Sequence, residues 1–289
     1  MEPRVADLLQ LLTLEQLEAD LFRGESRDFG ARLVFGGQVM GQALAAAYAT
    51  VNGSEAHSLH AYFLRAGNPD LPIDYQVERS RDGKSFASRR VVAIQNKEPI
   101  FHLSASFQVA EITVDRQSAM PAVPEPESLP DVNAVIEDLK RRAPDRPPPL
   151  GARRHAFEFR PAELPDVLED VPREPHLKLW FRLIDRVPDD PVLHRCLLAY
   201  ASDHYLLTTA SLDVRMTTPR HEDLQLASID HAMWFHRPTR ADEWLLYVLD
   251  SPTASGGRGF ARGSIFSQDG RLVASTAQEA LVRRKASGG

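Results

Sequence analysis

The stretch from Ser85 to Gln108, SFASRRVVAIQNKEPIFHLSASFQ, returns in altered form from Gly259 to Gln278 as GFARGSIFSQDGRLVASTAQ. Upstream of each lies a second matched pair, SLHAYFLR beginning at Ser58 and SIDHAMWFHR beginning at Ser228. Ser58 and Ser228 stand 170 residues apart, and so do Gln108 and Gln278, which close the two segments. Two resemblances sharing one offset point to a duplicated unit more strongly than either alone. In the first copy, HSLHAYFLR, IDYQVERSRD, SFASRRVVAIQN and PIFHLSASFQVAEI are β-favouring runs. AGNPD, DGKS and NKEP between them read as turns of an antiparallel meander. In the second copy, QLASIDHAMWFHR, EWLLYVLDSP, RGFARGSIFSQDG and RLVASTAQEALVRR repeat the pattern.

A helix is expected ahead of each meander. Phe35-Gly36-Gly37-Gln38 leads into VMGQALAAAYATV, whose small residues suit a helix packed closely against another backbone. Its counterpart is VLHRCLLAYASDHYLL, residues 192–207, read as one helical run. Each copy is therefore expected to be an α+β unit, with one buried helix and one antiparallel sheet. Placed edge to edge, the two sheets cover one another's exposed strands and make a pseudo-dimer within one chain, with a substrate crevice where the units meet.

The 289 residues have room for two domains of roughly 100–150 residues each. The expected boundaries are 1–115 for the first unit, 116–153 for a connector and 154–289 for the second. Twelve of the 21 prolines fall between Pro121 and Pro175, which rules out a continuous helix or central strand there. The connector is expected to cross a surface, interrupted by a short helix at DVNAVIEDLKRR. At the N-terminus, Val5, Leu8, Leu9, Leu12, Leu14, Leu17 and Leu21 suggest one amphipathic helix, with Glu15, Glu18 and Asp20 on its wetter sides. Lacking a basic face, it is expected to pack on the body of the protein and not on a membrane.

A net charge of −6 supplies no field for nucleic acid. The single cysteine, Cys196, cannot form an internal disulfide or a multi-cysteine metal site. No apolar run is long enough for a secretory leader or a membrane span, so a soluble, cytoplasmic protein without stable membrane insertion is expected. GxGxxG, phosphate-loop, HExxH, GxSxG and CxxC motifs are missing, and no cofactor or metal is expected. His231 and His236, five residues apart on a strand, would face opposite sides, which disfavours joint metal ligation.

Three residues of the second unit stand out. Asp203 follows the apolar run Leu197 to Ala201, where a carboxylate is costly to bury unless it is hydrogen-bonded. Ser228 carries a hydroxyl at a strand start, and Gln278 is a neutral donor and acceptor suited to holding water. None is diagnostic alone: a solvent-facing helix exit, a structural serine and an ordinary glutamine are the plainer readings. His60, His204 and His231 lie near these segments, with ordinary hydrogen bonding as their plainer role. Arg65, Arg89, Arg90, Arg258 and Arg262 have the chemistry to meet phosphates, and equally to remain solvated on the surface.

Taken together, LFRGESRDFG, RLVFGGQVMGQAL, HSLHAYFLRAG, ERSRDGKSFASRRVVAIQ, PIFHLSASFQ, YASDHYLL, ASIDHAMWFHRP, EWLLYVLDSPTASGGRGFARG and DGRLVASTAQEA closely resemble the acyl-CoA thioesterase II family, nearly end to end. The resemblance implies a double hotdog fold, two antiparallel sheets each wrapped around a central helix. It also implies hydrolysis of medium- to long-chain acyl-CoA to fatty acid and coenzyme A, by a water positioned through an Asp, a Thr or Ser, and a Gln. Asp203, Ser228 and Gln278 match those positions, with serine where some members carry threonine. Hotdog scaffolds also serve acyl-CoA hydratases and dehydratases, and a non-catalytic acyl-CoA-binding protein is a further alternative. Exposed sheet and helix surfaces offer faces for a homodimer or higher homo-oligomer.

Overall fold

The computed structural model describes residues 1–28, 32–111, 114–142, 156–163, 174–212 and 224–284. Helix α1, Pro3–Leu12, is started by Pro3 and by the Glu2 side chain, which accepts from the Arg4 N–H, and it buries Val5, Leu8, Leu11 and Leu12. It then stops, and the Leu14–Leu21 segment expected to continue it forms a hairpin instead, β1 Glu15–Glu18 and β2 Leu21–Gly24. The Thr13 N–H and hydroxyl both turn back onto the Leu9 carbonyl and close the helix. Beyond that point the residues find a ladder partner in β4, Ile73–Asp82.

The expected meander of the first copy is present as β3 Glu55–Phe63, β4, β5 Phe86–Gln95 and β6 Glu98–Gln108. Asn96 and Lys97, both at positive φ, make the tight turn between β5 and β6. The second copy supplies β7 Phe157–Pro161, β8 His176–Leu183, β9 Leu224–Ser228, β10 Asp230–Phe235, β11 Leu245–Ser255, β12 Arg258–Ser267 and β13 Leu272–Arg284. The sheets do meet edge to edge, and their junction is fully hydrogen-bonded: β3 pairs antiparallel with β10, Tyr62 opposite Asp230 and Ser58 opposite Trp234. The result is one sheet of thirteen described strands, ordered β1-β2-β4-β5-β6-β3-β10-β13-β12-β11-β8-β7, with β9 added on β13. Read outward from the junction, the two halves repeat each other strand for strand, and only β9 has no counterpart.

Each half wraps a central helix, α2 Gly36–Tyr48 in the first and α4 Pro191–Ser202 in the second. The two helices lie against each other at the centre of the core. Gly41 permits this approach, since a Cβ there would stand 2.9 Å from Leu12 Cδ2 and 3.2 Å from the Cys196 carbonyl. Burying large side chains such as Leu44, Tyr75, Phe107, Phe181 and Tyr247 stabilises the fold by about 1.5–3 kcal/mol each before entropy is counted.

The connector contains the expected short helix, α3 Val132–Arg142. Ahead of it, Met120, Val123 and Leu129 pack on Trp180, Trp244, Leu246 and Phe266, a small apolar cluster separate from the main core. Trp180 Nε1 donates to the Pro124 carbonyl and Trp244 Nε1 to Glu127, so this part of the connector is fastened onto the second copy's sheet. The remainder of the connector, from 143 onward to its expected end, lies outside the described residues.

Candidate active site

Asp190 caps α4 by accepting from the Val192 N–H at 2.9 Å, and Pro191 opens the first turn. The helical run expected over 192–207 is broken at its end. Asp203 is the C-cap of α4, Tyr205 takes a left-handed backbone with φ 72°, and α5, Leu206–Ala210, starts afresh. That left-handed residue is neither Gly nor Asn and costs roughly 1–2 kcal/mol. The break leaves Asp203 at the exposed end of the helical stack but covered by a neighbour, the first turn of α2. A Cβ on Gly36 would come within 2.7 Å of Asp203 Oδ2, so only glycine lets this turn reach the carboxylate.

Asp203 is 8 % exposed, and its Oδ1 accepts no hydrogen bond among the described residues. Burial pushes its carboxyl up to about 6, while the Gly37 backbone N–H pulls the other way. The positive end of the α2 dipole adds to that pull.

Ser228 ends β9, half-buried, opposite Ala280 of β13. Gln278 on β13 is buried, and its Nε2 donates to Ser228 Oγ at 2.9 Å. Its Oε1 accepts from His231 Nδ1 at 2.9 Å. The same Nδ1 stands 4.0 Å from Asp203 Oδ1, so the three residues singled out by sequence gather around His231. On its far side, His231 Nε2 lies 3.1 Å from the hydroxyl of Ser202, the last residue of α4. Burial depresses the His231 pKa to about 4, against the smaller opposing pull of the Gln278 hydrogen bond, so the ring is neutral at pH 7.

Ser202 and the central place of His231 escaped the sequence reading. A signal for His231 existed, since strand alternation puts it on the same face as Met233 and Phe235. His236 points the other way, exposed and bonded to Ser275, as the alternation predicted. His60 is also outward, edge-on to Trp234 at 5.2 Å between ring centroids, and His204 packs between Phe35 and Phe159.

The 170-residue offset holds less strictly than the strand order. Ser58 lies opposite Ser106, two residues before Gln108, whereas Ser228 lies opposite Ala280, two residues beyond Gln278. The two serines are therefore not structural equivalents, because Ser228 belongs to β9, the strand without a counterpart.

Each of the five arginines with phosphate-binding chemistry already has a protein partner. Arg89 is buried against Thr50 and Asp82, Arg65 reaches Glu98, Arg90 reaches Glu78, Arg258 reaches Glu279 and Arg262 reaches Asp250. A cleft of about 660 Å³ opens at the other end of α4, beside Pro191, His194 and Arg195. Its arginines are paired with carboxylates, for example Arg186 and Arg240 with Asp242, and Asp203, Ser228 and Gln278 do not line it. The buried carboxylate of Asp203 lies apart from this cleft.

Among family models, residues 152–281 match one described as acyl-CoA thioesterase, and residues 25–108 match one described as the acyl-CoA thioesterase N-terminal domain. Acyl-CoA thioesterase 2 of Haemophilus influenzae is 41 % identical over 278 residues, covering 96 % of this chain and 97 % of its own. Human acyl-coenzyme A thioesterase 8 is 42 % identical over 285 residues, covering 95 % and 88 %. The crystal structure of an acyl-CoA thioesterase II, TesB2, from Mycobacterium marinum superimposes with a TM-score of 0.80 at 42 % identity, covering 97 % of this chain and all of the other. With relatives this similar along nearly its whole length, the chain belongs to the acyl-CoA thioesterase family.

Proposed function

We propose that the protein hydrolyses medium- to long-chain acyl-CoA thioesters to free fatty acid and coenzyme A, with Asp203, Ser228 and Gln278 directing a water molecule at the thioester carbonyl. The observation that carries this reading is a desolvated carboxylate beside a hydrogen-bonded Gln278–Ser228 pair. With a pKa near 6, Asp203 is ionised at neutral pH yet basic enough to take a proton, the balance a general base needs. Water oxygen attacks the carbonyl carbon while its proton passes to Asp203. The tetrahedral oxyanion gains from the positive end of α2. On collapse the C–S bond breaks, and the proton held by Asp203 goes to the departing coenzyme A sulfur. No acyl-enzyme forms.

Among the described residues no helix is long and apolar enough to cross a membrane. The proposed setting is the cytoplasm, acting on dissolved acyl-CoA, with a homo-oligomer as the assembled form.

Steady-state coenzyme A release from a panel of acyl-CoAs tests both the reaction and the chain-length preference. Release that peaks at medium or long chains and disappears in Asp203→Asn supports the proposal. Binding without release would favour a storage protein, and a hydrated product would favour a hydratase. Unchanged turnover in Asp203→Asn, Ser228→Ala and Gln278→Ala together would remove the assignment of these residues.

A further inference from the structure

Four side chains in the candidate site form a single file: Ser202 Oγ, the His231 ring, the Gln278 amide and Ser228 Oγ, with successive separations of 3.1, 2.9 and 2.9 Å. Such a file can run in either of two directions. An amide oxygen only accepts and an amide nitrogen only donates, so the direction decides which end of Gln278 faces Ser228. It also decides whether Ser228 receives a hydrogen bond there or gives one.

The geometry points to His231 as a positioning residue that fixes this direction, by carrying its proton on Nδ1 and so turning the donor end of Gln278 toward Ser228. The ring is buried and neutral, so it has one N–H to place. Asp203 Oδ1, which has no hydrogen-bond partner among the described residues, lies 4.0 Å from Nδ1. A proton on Nδ1 faces that carboxylate favourably, whereas a lone pair there would repel it. Nε2 is then bare and lies 3.1 Å from the Ser202 Oγ, whose single proton is divided between it and the Ala199 carbonyl 2.9 Å away. Ser202 is itself held by its place at the end of α4, where its carbonyl accepts from Tyr247 Oη at 2.9 Å.

Two consequences follow for the reaction. Ser228 receives a hydrogen bond from Gln278, so its own proton is free to point into the crevice toward water or substrate. Gln278 presents N–H groups, and no acceptor, to the side where negative charge develops. His231 touches neither water nor substrate and acts through Gln278, with its Nδ1 held 4.0 Å from Asp203 Oδ1. The inference rests on the proposed water-holding roles of Ser228 and Gln278.

The test combines spectroscopy with kinetics. Nitrogen-15 spectra of histidine-labelled protein at pH 7 should show His231 protonated on Nδ1 and bare on Nε2, and a proton on Nε2 would overturn the inference. His231→Leu should lower kcat roughly tenfold to hundredfold with KM within about twofold. His231→Asn, which restores an amide N–H where Nδ1 stood, should recover kcat to within about threefold of wild type. Ser202→Ala should lower kcat in the wild-type background and have no further effect in His231→Leu, because both act through one file. Equal kcat in folded Leu and Asn variants, checked by thermal unfolding, would reduce His231 to a packing residue. Gln278→Ala separates the layers. Wild-type turnover in that variant would sink the underlying site, whereas lost turnover with indistinguishable Leu and Asn variants would sink only the positioning role.

Discussion

The two central helices end in corners that the duplication makes equivalent, and only one of them gathers a buried carboxylate, a histidine and a serine-bearing strand. Helix α4 ends Ser202-Asp203, while α2 ends Tyr48-Ala49. Gln108 and Gln278 are matched in sequence: Gln108 closes β6 opposite Glu55, and Gln278 lies one step beyond the Ala232–Ala277 pair and faces His231. The likeness ends there: Gln278 faces the core opposite Ala261, as Phe107 does opposite Ala87, whereas Gln108 turns outward toward Glu111, and Glu55 is taken up by Tyr48 Oη and by an ion pair with Arg195. Ala49 replaces the carboxylate and is exposed. The largest difference is the path away from the helix. The first copy runs from Tyr48 to Glu55 directly, whereas the second inserts α5 and β9 before β10, and β9 delivers Ser228. Duplication built the frame twice, and an insertion in one copy added the hydroxyl.

Breaking the second corner should have the largest effect. Asp203→Asn is expected to lower kcat/KM by about 10²–10⁴, read as coenzyme A release. The same variant should be more stable at pH 7. Because the folded pKa of about 6 lies above the ordinary aspartate value of 3.8, the contribution of this group is fully present below about 3.8 and is lost as pH rises through about 6. Above that window the ionised carboxylate costs roughly 3 kcal/mol, which the amide avoids, so thermal unfolding should shift upward by a few degrees. An unchanged or lower midpoint would contradict the burial argument.

Next in size is the contrast between the two glutamines. Gln278→Ala should reduce kcat roughly tenfold to hundredfold and Gln108→Ala should leave it unchanged, and equal losses would erase the distinction between the corners. In the wild type, kcat/KM should fall about tenfold from pH 7 to pH 5 as Asp203 takes up a proton. An acid limb centred near 4 would instead indicate a solvated base. The smallest effect belongs to Ala49→Asp. On an exposed cap beside no serine-bearing strand it should change neither turnover nor stability by more than about 0.5 kcal/mol, and a gain in turnover would show that a carboxylate alone suffices.

The meanders and central helices were legible because alternation and small-residue packing leave marks in sequence. The N-terminal hairpin was not. All four residues of β1 are exposed, so no alternation announced a strand, and the leucines at 14, 17 and 21 kept helical spacing by chance. The break after Asp203 was equally silent, since no Gly or Pro marks the left-handed Tyr205. Asp203, Ser228 and Gln278 were weak as isolated residues and gained weight from the family resemblance. The offset of 170 misled at Ser58 because the residues between helix and sheet differ in number between the copies.

The β3–β10 ladder also has a consequence for how the chain is made. Tyr62 and Asp230 are about 170 residues apart, and at roughly 5–20 residues per second of synthesis the first waits some ten to thirty seconds for its partner. Throughout that interval a nascent half-protein presents β3 as an open edge, with Ala56, Leu59 and Ala61 on the strand that the second half will complete. For a newly made chain, synthesis of the second half is what closes this open border.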